Sequence, residues 1–130
     1  MTERYESERR EFVRVRTDLS VRYRFLSKTI EVTDEIHAGT TSDVSGGGLL
    51  LVGRIPNPSW YVGLLTQQIV VGVNLTLPSA PEPIKALCRV AWIEAAEGES
   101  GRTAMGLKFR EISRDSLDQV FQYVIKAQLK

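Results

Sequence analysis

Two short stretches carry residue types that can recognise one ligand together: RREFVR at residues 9–14 and DVSGGG at residues 43–48. In the first, Arg10 and Arg14 are four apart, a spacing that brings both guanidinium groups to one side of the chain whether it is helical or extended. Arg9 then points elsewhere and can reach a second group. In the second, Asp43 and Ser45 are two apart and share a face if the segment is extended, with Val44 turned to the core. Arginine donates two parallel hydrogen bonds to O6 and N7 of guanine, and its plane stacks on a base. A carboxylate accepts from the N1–H and N2–H₂ edge of guanine, and a serine hydroxyl or glycine N–H suits phosphate oxygens. The set fits a guanine-containing anionic ligand. Gly46, Gly47 and Gly48 are costly in chain entropy, so the backbone there must serve a tight turn, a phosphate cradle or a ligand pressed against the main chain.

Catalytic chemistry has little to stand on. The one histidine, His37, has no partner at a diagnostic spacing and reads as a strand or surface residue. Cys88, the one cysteine, lies on the apolar side of a strand pattern and reads as a small buried hydrophobe. No cysteine and histidine set could hold zinc. GGGLLL is no P-loop, since no lysine and Ser/Thr follow the glycines and a strand comes next. An enzyme is not expected, nor a metal or cofactor.

The charges narrow the partner. A net charge of +1 argues against a general polyanion binder such as DNA or RNA. Seven arginines nonetheless fall in the first 24 residues, and no lysine precedes Lys28. That bias favours planar, bidentate or stacked recognition. Interleaved acids (Glu3, Glu6, Glu8, Glu11, Asp18) leave open a lattice of exposed ion pairs. The lone cysteine fits a reducing cytoplasm, the first residues lack a signal peptide's apolar core, and no apolar run approaches the roughly 20 residues of a membrane span.

These residues need a scaffold, and its pattern is mainly β. At 130 residues the length suits one domain. Residues 1–16 are polar and read as a flexible Arg-rich arm that carries the arginine pair, with the folded domain over 17–130. LSVRYRFLS alternates, placing Leu19, Val21, Tyr23 and Phe25 on one face. Further strands are expected over about 37–45, at GLLLV, IVVGVNLTL and IKALCRVAWIE, and at TAMGLKF after an EGESG turn. The alternation of the fifth puts Ile84, Ala86, Cys88, Val90 and Trp92 together. Residues 53–68 form a long connection with room for one helical turn. Leu117, Val120, Phe121, Val124 and Ile125 then follow helical spacing, over about 114–129, with Ser113 or a neighbour as cap. Six antiparallel strands and a closing helix predict a small barrel or sandwich.

RREFVR followed by DVSGGG resembles the RxxxR and [D/N]xSxxG pair of the PilZ domain, a bacterial receptor module for cyclic di-GMP. Val90-Ala91-Trp92, then Gly106-Leu107-Lys108-Phe109, then the helix are similar to the family's later strands and end, so the likeness covers nearly the whole chain. The resemblance implies a six-stranded antiparallel barrel of split type with a C-terminal helix. It implies that Arg10 and Arg14 grip guanines and phosphates, that Asp43 and Ser45 line the facing side, and that Gly48 lets the chain turn close to the ligand. An arginine before the pair, here Arg9, is associated with an intercalated cyclic di-GMP dimer. Gly46 and Gly47 lie near the ligand in this reading. Trp92 is either a ligand-side or a core aromatic, while Gly106 and Phe109 are structural. The implied function is a stand-alone receptor that signals to a separate downstream protein as the ligand orders the arm, in processes such as motility or biofilm formation. The alternative is a PilZ-type scaffold in pilus or motility complexes that acts without nucleotide. A small barrel for single-stranded nucleic acid is a third option, and its need for a basic groove sets it apart.

Overall fold

The computed structural model describes residues 14–78, 80–95 and 102–129, with side chains from residue 18 onward. Eight elements run in the order β1 (Arg14–Ser27), β2 (His37–Ser45), β3 (Gly48–Arg54), α1 (Trp60–Leu65), β4 (Ile69–Leu75), β5 (Ile84–Ala95), β6 (Arg102–Ile112) and α2 (Arg114–Gln128). The strands form a closed barrel in the spatial order β1-β2-β3-β6-β5-β4, every neighbouring pair antiparallel. Closure comes from β1 and β4, whose register runs from Val21 against Leu75 to Ser27 against Ile69. It removes the free sheet edges that would otherwise invite pairing with another chain.

Alternation decides what the barrel holds. Val21, Tyr23 and Phe25 of β1 meet Val71 and Val73 of β4, Cys88 and Val90 of β5, and Met105 of β6 in one buried cluster. Tyr23 reaches across it, donating its hydroxyl hydrogen to the Arg54 carbonyl and accepting from the Arg54 N–H, both at 2.7 Å. That pairing satisfies a polar group which burial would otherwise make costly. Burial raises the Tyr23 phenol above its ordinary range, partly offset by the Arg54 backbone bond and the nearby Arg102 and Arg54 charges. His37 packs its ring against Tyr23 and Phe25, at centroid distances of 5.3 and 5.7 Å.

The two helices among the described residues pack against different parts of the barrel. The short helix α1 lies against β4 and β5 and buries Trp60 and Leu64. The long helix α2 lies against β1, β2 and β5. Ser113 caps it by accepting from the Ser116 N–H at 3.1 Å, with Asp115 in its first turn and Lys126 in its last.

Three expectations change. β1 begins at Arg14, so residues 14–16 are strand and not arm; the rest of the arm, residues 1–13, and the EGESG turn lie outside the described residues. The apolar stripe of α2 is wider than the face it buries: Val120 and Val124 are buried, while Phe121 and Ile125 are 36% and 53% exposed. Trp92 leaves the side of Ile84, Ala86, Cys88 and Val90 and stands outward, 38% exposed. The reason is an irregularity between Val90 and Trp92, where Val90 faces Leu107 and Trp92 already faces Gly106. Ala91 is the extra residue, and one extra residue reverses the parity of everything after it.

Candidate functional site

The DVSGGG stretch is the hairpin joining β2 to β3. Ser45 pairs with Gly48, leaving Gly46 and Gly47 as a two-residue turn. The Ser45 hydroxyl accepts from the Gly47 N–H at 3.2 Å and reaches the Gly48 carbonyl at 3.4 Å, bracing the turn from inside. The turn is also tied to β6, where the Phe109 N–H donates to the Gly47 carbonyl at 2.9 Å. Gly48 is fixed by a neighbour. A Cβ there would fall inside the envelope of the Leu107 carbonyl oxygen, with the Leu107 carbonyl carbon at 2.9 Å and Lys108 Cα at 3.0 Å. Close strand packing therefore demands a glycine at 48, whatever else approaches it.

Asp43 owes its direction to a second bulge. Thr41 faces Leu51 and Asp43 faces Leu50, so Ser42 is the extra residue of β2. Gly39 and Thr41 are buried before it and Val44 after it, while Ser42 is exposed and Asp43 and Ser45 are half-exposed. Strict alternation from Thr41 would have turned Asp43 into the core; the bulge turns it out. Thr41 holds the bulge by donating to the Asp43 carbonyl at 3.1 Å and receiving the Asp43 N–H at 3.4 Å. This accounts for a wholly buried hydroxyl in an apolar barrel.

Register then sets the last residue of the first motif beside the second. Arg14 stands opposite Ser45, and Arg16 opposite Asp43, across the β1–β2 ladder. Residues separated by thirty positions in sequence are thus one strand apart, about 4.8 Å. Arg9 and Arg10 lie outside the described residues, as do the side chains of residues 14–17.

The outer face continues across the barrel in two rows. One runs Asp43, Leu50, Gly106, Trp92 and the other Ser45, Gly48, Lys108, Arg89. In the first, the Trp92 indole lies over Gly106, where a Cβ would collide with the ring. Lys108, exposed, and Arg89, half-buried, end the second row with two cations. Sequence reasoning missed both, although each sits between core residues (Leu107, and Cys88 with Val90) and so had to face outward. The arrangement offers an acid, a hydroxyl, two cations and one aromatic surface on a face roughly 15 Å wide, three strand spacings.

Among the described residues no three His, Cys, Asp or Glu side chains come together as a metal site would need. Cys88 is wholly buried, and burial pushes its thiol up to about 12, which makes it a poor nucleophile.

The PilZ domain family model matches residues 8–126, nearly the whole chain. The chain belongs to the PilZ domain family. A comparison with curated proteins finds no significant match. Solved structures of similar fold include the Bacillus subtilis inhibitor of motility MotI/DgrA, at a TM-score of 0.67 and 21% identity over 92% of this PilZ domain and 51% of that chain. They also include the PilZ domain of Escherichia coli YcgR with c-di-GMP, at 0.62 and 10% identity over 93% and 92%. The c-di-GMP complex of PlzA from Borreliella burgdorferi gives 0.55 and 10% identity over 98% and 54%. The chain thus spans about half the length of MotI and PlzA. No helix among the described residues is long and apolar enough to cross a membrane.

Proposed function

We propose that this PilZ domain is a receptor for cyclic di-GMP, bound on the outer face at the β2–β3 hairpin and the start of β1. The observation that carries the reading is the register of Arg14 against Ser45, which sets the end of RxxxR beside DxSxxG. Similar folds holding c-di-GMP in YcgR and PlzA support it. Asp43 and Ser45 take the guanine edge, Arg10 and Arg14 clamp guanine and phosphate from the other side, and Trp92 offers a stacking surface. Arg9 admits a second, intercalated nucleotide. The ligand fixes residues 9–13 against the hairpin, and a separate protein reads the surface so formed; no catalytic step is involved.

Calorimetry with cyclic di-GMP tests this. Arg10→Ala, Arg14→Ala and Asp43→Ala are each expected to lose about 1–3 kcal/mol, roughly 5- to 150-fold in affinity. A stoichiometry of two per chain, reduced to one in Arg9→Ala, is the expected mark of the dimer. Wild-type protein that binds no nucleotide would favour the scaffold reading, and unchanged affinity in the arginine variants would remove the proposed site.

A further inference from the structure

Strand β4 carries a glycine that packing does not ask for. At Gly39, Gly48, Gly53 and Gly106 an added Cβ would collide with a neighbouring strand's backbone or with a ring. At Gly72 it would meet only Leu26 Cδ1 at 3.5 Å and Arg24 Cγ at 3.9 Å, ordinary contact distances, on a backbone outside the left-handed region. Glycine inside a strand weakens it and often marks a place where a ligand or another chain comes close.

The bare position floors an open depression of about 670 Å³ on the outer face of β1, β4 and β5. Two cross-strand rows build it: Arg22, Asn74 and Lys85 in one register, then Arg24, Gly72, Leu87 and Glu111 in the next. The three cations are exposed and outnumber the one acid, Glu111, at the far end of the second row. Among the described residues Arg22 and Lys85 make no ion pair, while Arg24 holds Asp34 at 3.2 Å with both side chains largely in water. So exposed a pair is weak and exchanges readily.

The chain itself shows what suits this face. From the connection after β1, Asp34 sets its carboxylate on Arg24, and two residues on Ile36 lines the same depression, 64% exposed. The same two chemistries remain unmatched at Arg22, Lys85 and the floor over Gly72. Strands β1, β4 and β5 are each paired on both sides, so their N–H groups go into the ladders rather than into a cradle for phosphate. The closed barrel also denies a partner any strand edge to join, which leaves recognition to side chains. Arg22 and Lys85 stand two strand spacings apart, about 10 Å, a span that two long side chains can close on carboxylates about 7 Å apart, alternate residues of an extended peptide.

We infer that this face docks an acidic peptide segment of a partner protein. Alternate carboxylates take Arg22 and Lys85 across Asn74, and an aliphatic side chain fills the space over Gly72 against Leu26 and Leu87. Charge complementarity supplies the specificity, and the contact is small and transient.

Fluorescence anisotropy on the full chain without nucleotide tests it, with a labelled nonapeptide carrying two aspartates and a leucine at alternate positions and serine elsewhere. Saturable binding below about 1 mM is expected, weaker at high salt. Asparagine in place of both aspartates should abolish it. Arg22→Glu and Lys85→Glu, both at exposed positions, should each weaken it about tenfold or more, the worth of one hydrogen bond to a charged group. Gly72→Val, which fills the depression, should weaken it about fivefold or more while Tm stays level or rises. Absence of saturable binding, an asparagine peptide that binds equally well, indifference to both charge reversals or to Gly72→Val, or tighter binding of tripolyphosphate or a single-stranded oligonucleotide would each overturn the proposal. None of these residues is assigned to cyclic di-GMP, so its affinity should be unchanged in every variant, and failure here leaves the receptor reading standing.

Discussion

Replacing Gly48 with alanine separates two roles that the motif runs together. If the glycine exists only so that ligand can approach, Gly48→Ala should fold like wild type and bind poorly. The geometry says otherwise. An ideal Cβ falls more than an ångström short of the 3.0 Å floor to the Leu107 carbonyl oxygen, and the obstacle is backbone. Strand β3 and strand β6 must open by about that much. The Phe109 N–H to Gly47 carbonyl bond, 2.9 Å long, would no longer be a bond after such a shift. Losing it and one neighbouring ladder bond, with the groups partly buried, costs about 2–4 kcal/mol. That is a large share of a stability of roughly 5–15 kcal/mol and a drop in Tm of about 10 °C for a chain of this size. Gly106→Ala is the matched control, because its added Cβ meets the Trp92 indole, a side chain that can rotate away. Urea unfolding of both variants without nucleotide decides the matter. Gly48→Ala within about 0.5 kcal/mol of wild type would refute the packing argument and return this glycine to the ligand.

Three further outcomes follow from the same structure. Gly106→Ala should lose little stability yet displace Trp92, giving a red-shifted emission in a Trp60→Phe background and weaker nucleotide binding; an unshifted spectrum would mean the indole does not rest over Gly106. Tyr23→Phe strands the Arg54 N–H and carbonyl at the barrel wall and should cost about 1–3 kcal/mol in urea unfolding. The alkaline limb of stability draws on the buried Tyr23 phenol, raised above its ordinary range, and on Cys88, whose thiol burial pushes up to about 12 from an ordinary 9.0. The folded state keeps a proton that the unfolded chain releases, so the Cys88 contribution is full below about pH 9 and is lost as pH rises toward 12, at up to about 1.4 kcal/mol per pH unit. Cys88→Val should flatten that slope; an unchanged slope would assign it to other groups.

The strands were legible because their signal is local. Val21, Tyr23 and Phe25 alternate without interruption, and β2 runs from His37 to Ser45 as its threonine-rich pattern implied. The helix was legible in its period and in a cap at Ser113 or a neighbour, but the sequence cannot say how much of an apolar stripe becomes buried, and Phe121 and Ile125 stay 36% and 53% exposed. Trp92 was placed wrongly for a different reason: alternation was carried through Ala91, and nothing in an alanine marks a bulge. The motif pair was visible as residue types, whereas Lys108 and Arg89 were not, because they join the face only through pairings between β3, β6 and β5 that sequence distance hides.

The two bulges are what make one face out of these parts. Asp43 and Trp92 lie far apart in the chain, and strict alternation from the core residues before them would have turned both inward. Ser42 and Ala91 each add one residue, each reverses parity once, and both side chains emerge on the same cross-barrel row with Leu50 and Gly106 between them. Each reversal has its own support: the Thr41 hydroxyl holds the first, and the absence of a side chain at Gly106 makes room for the second. Unbroken alternation from Thr41 would bury the Asp43 carboxylate and turn Val44 outward, so the first irregularity serves the core as well as the face. Together the two present an acid and an aromatic ring outward, on the side of the barrel that β1 borders.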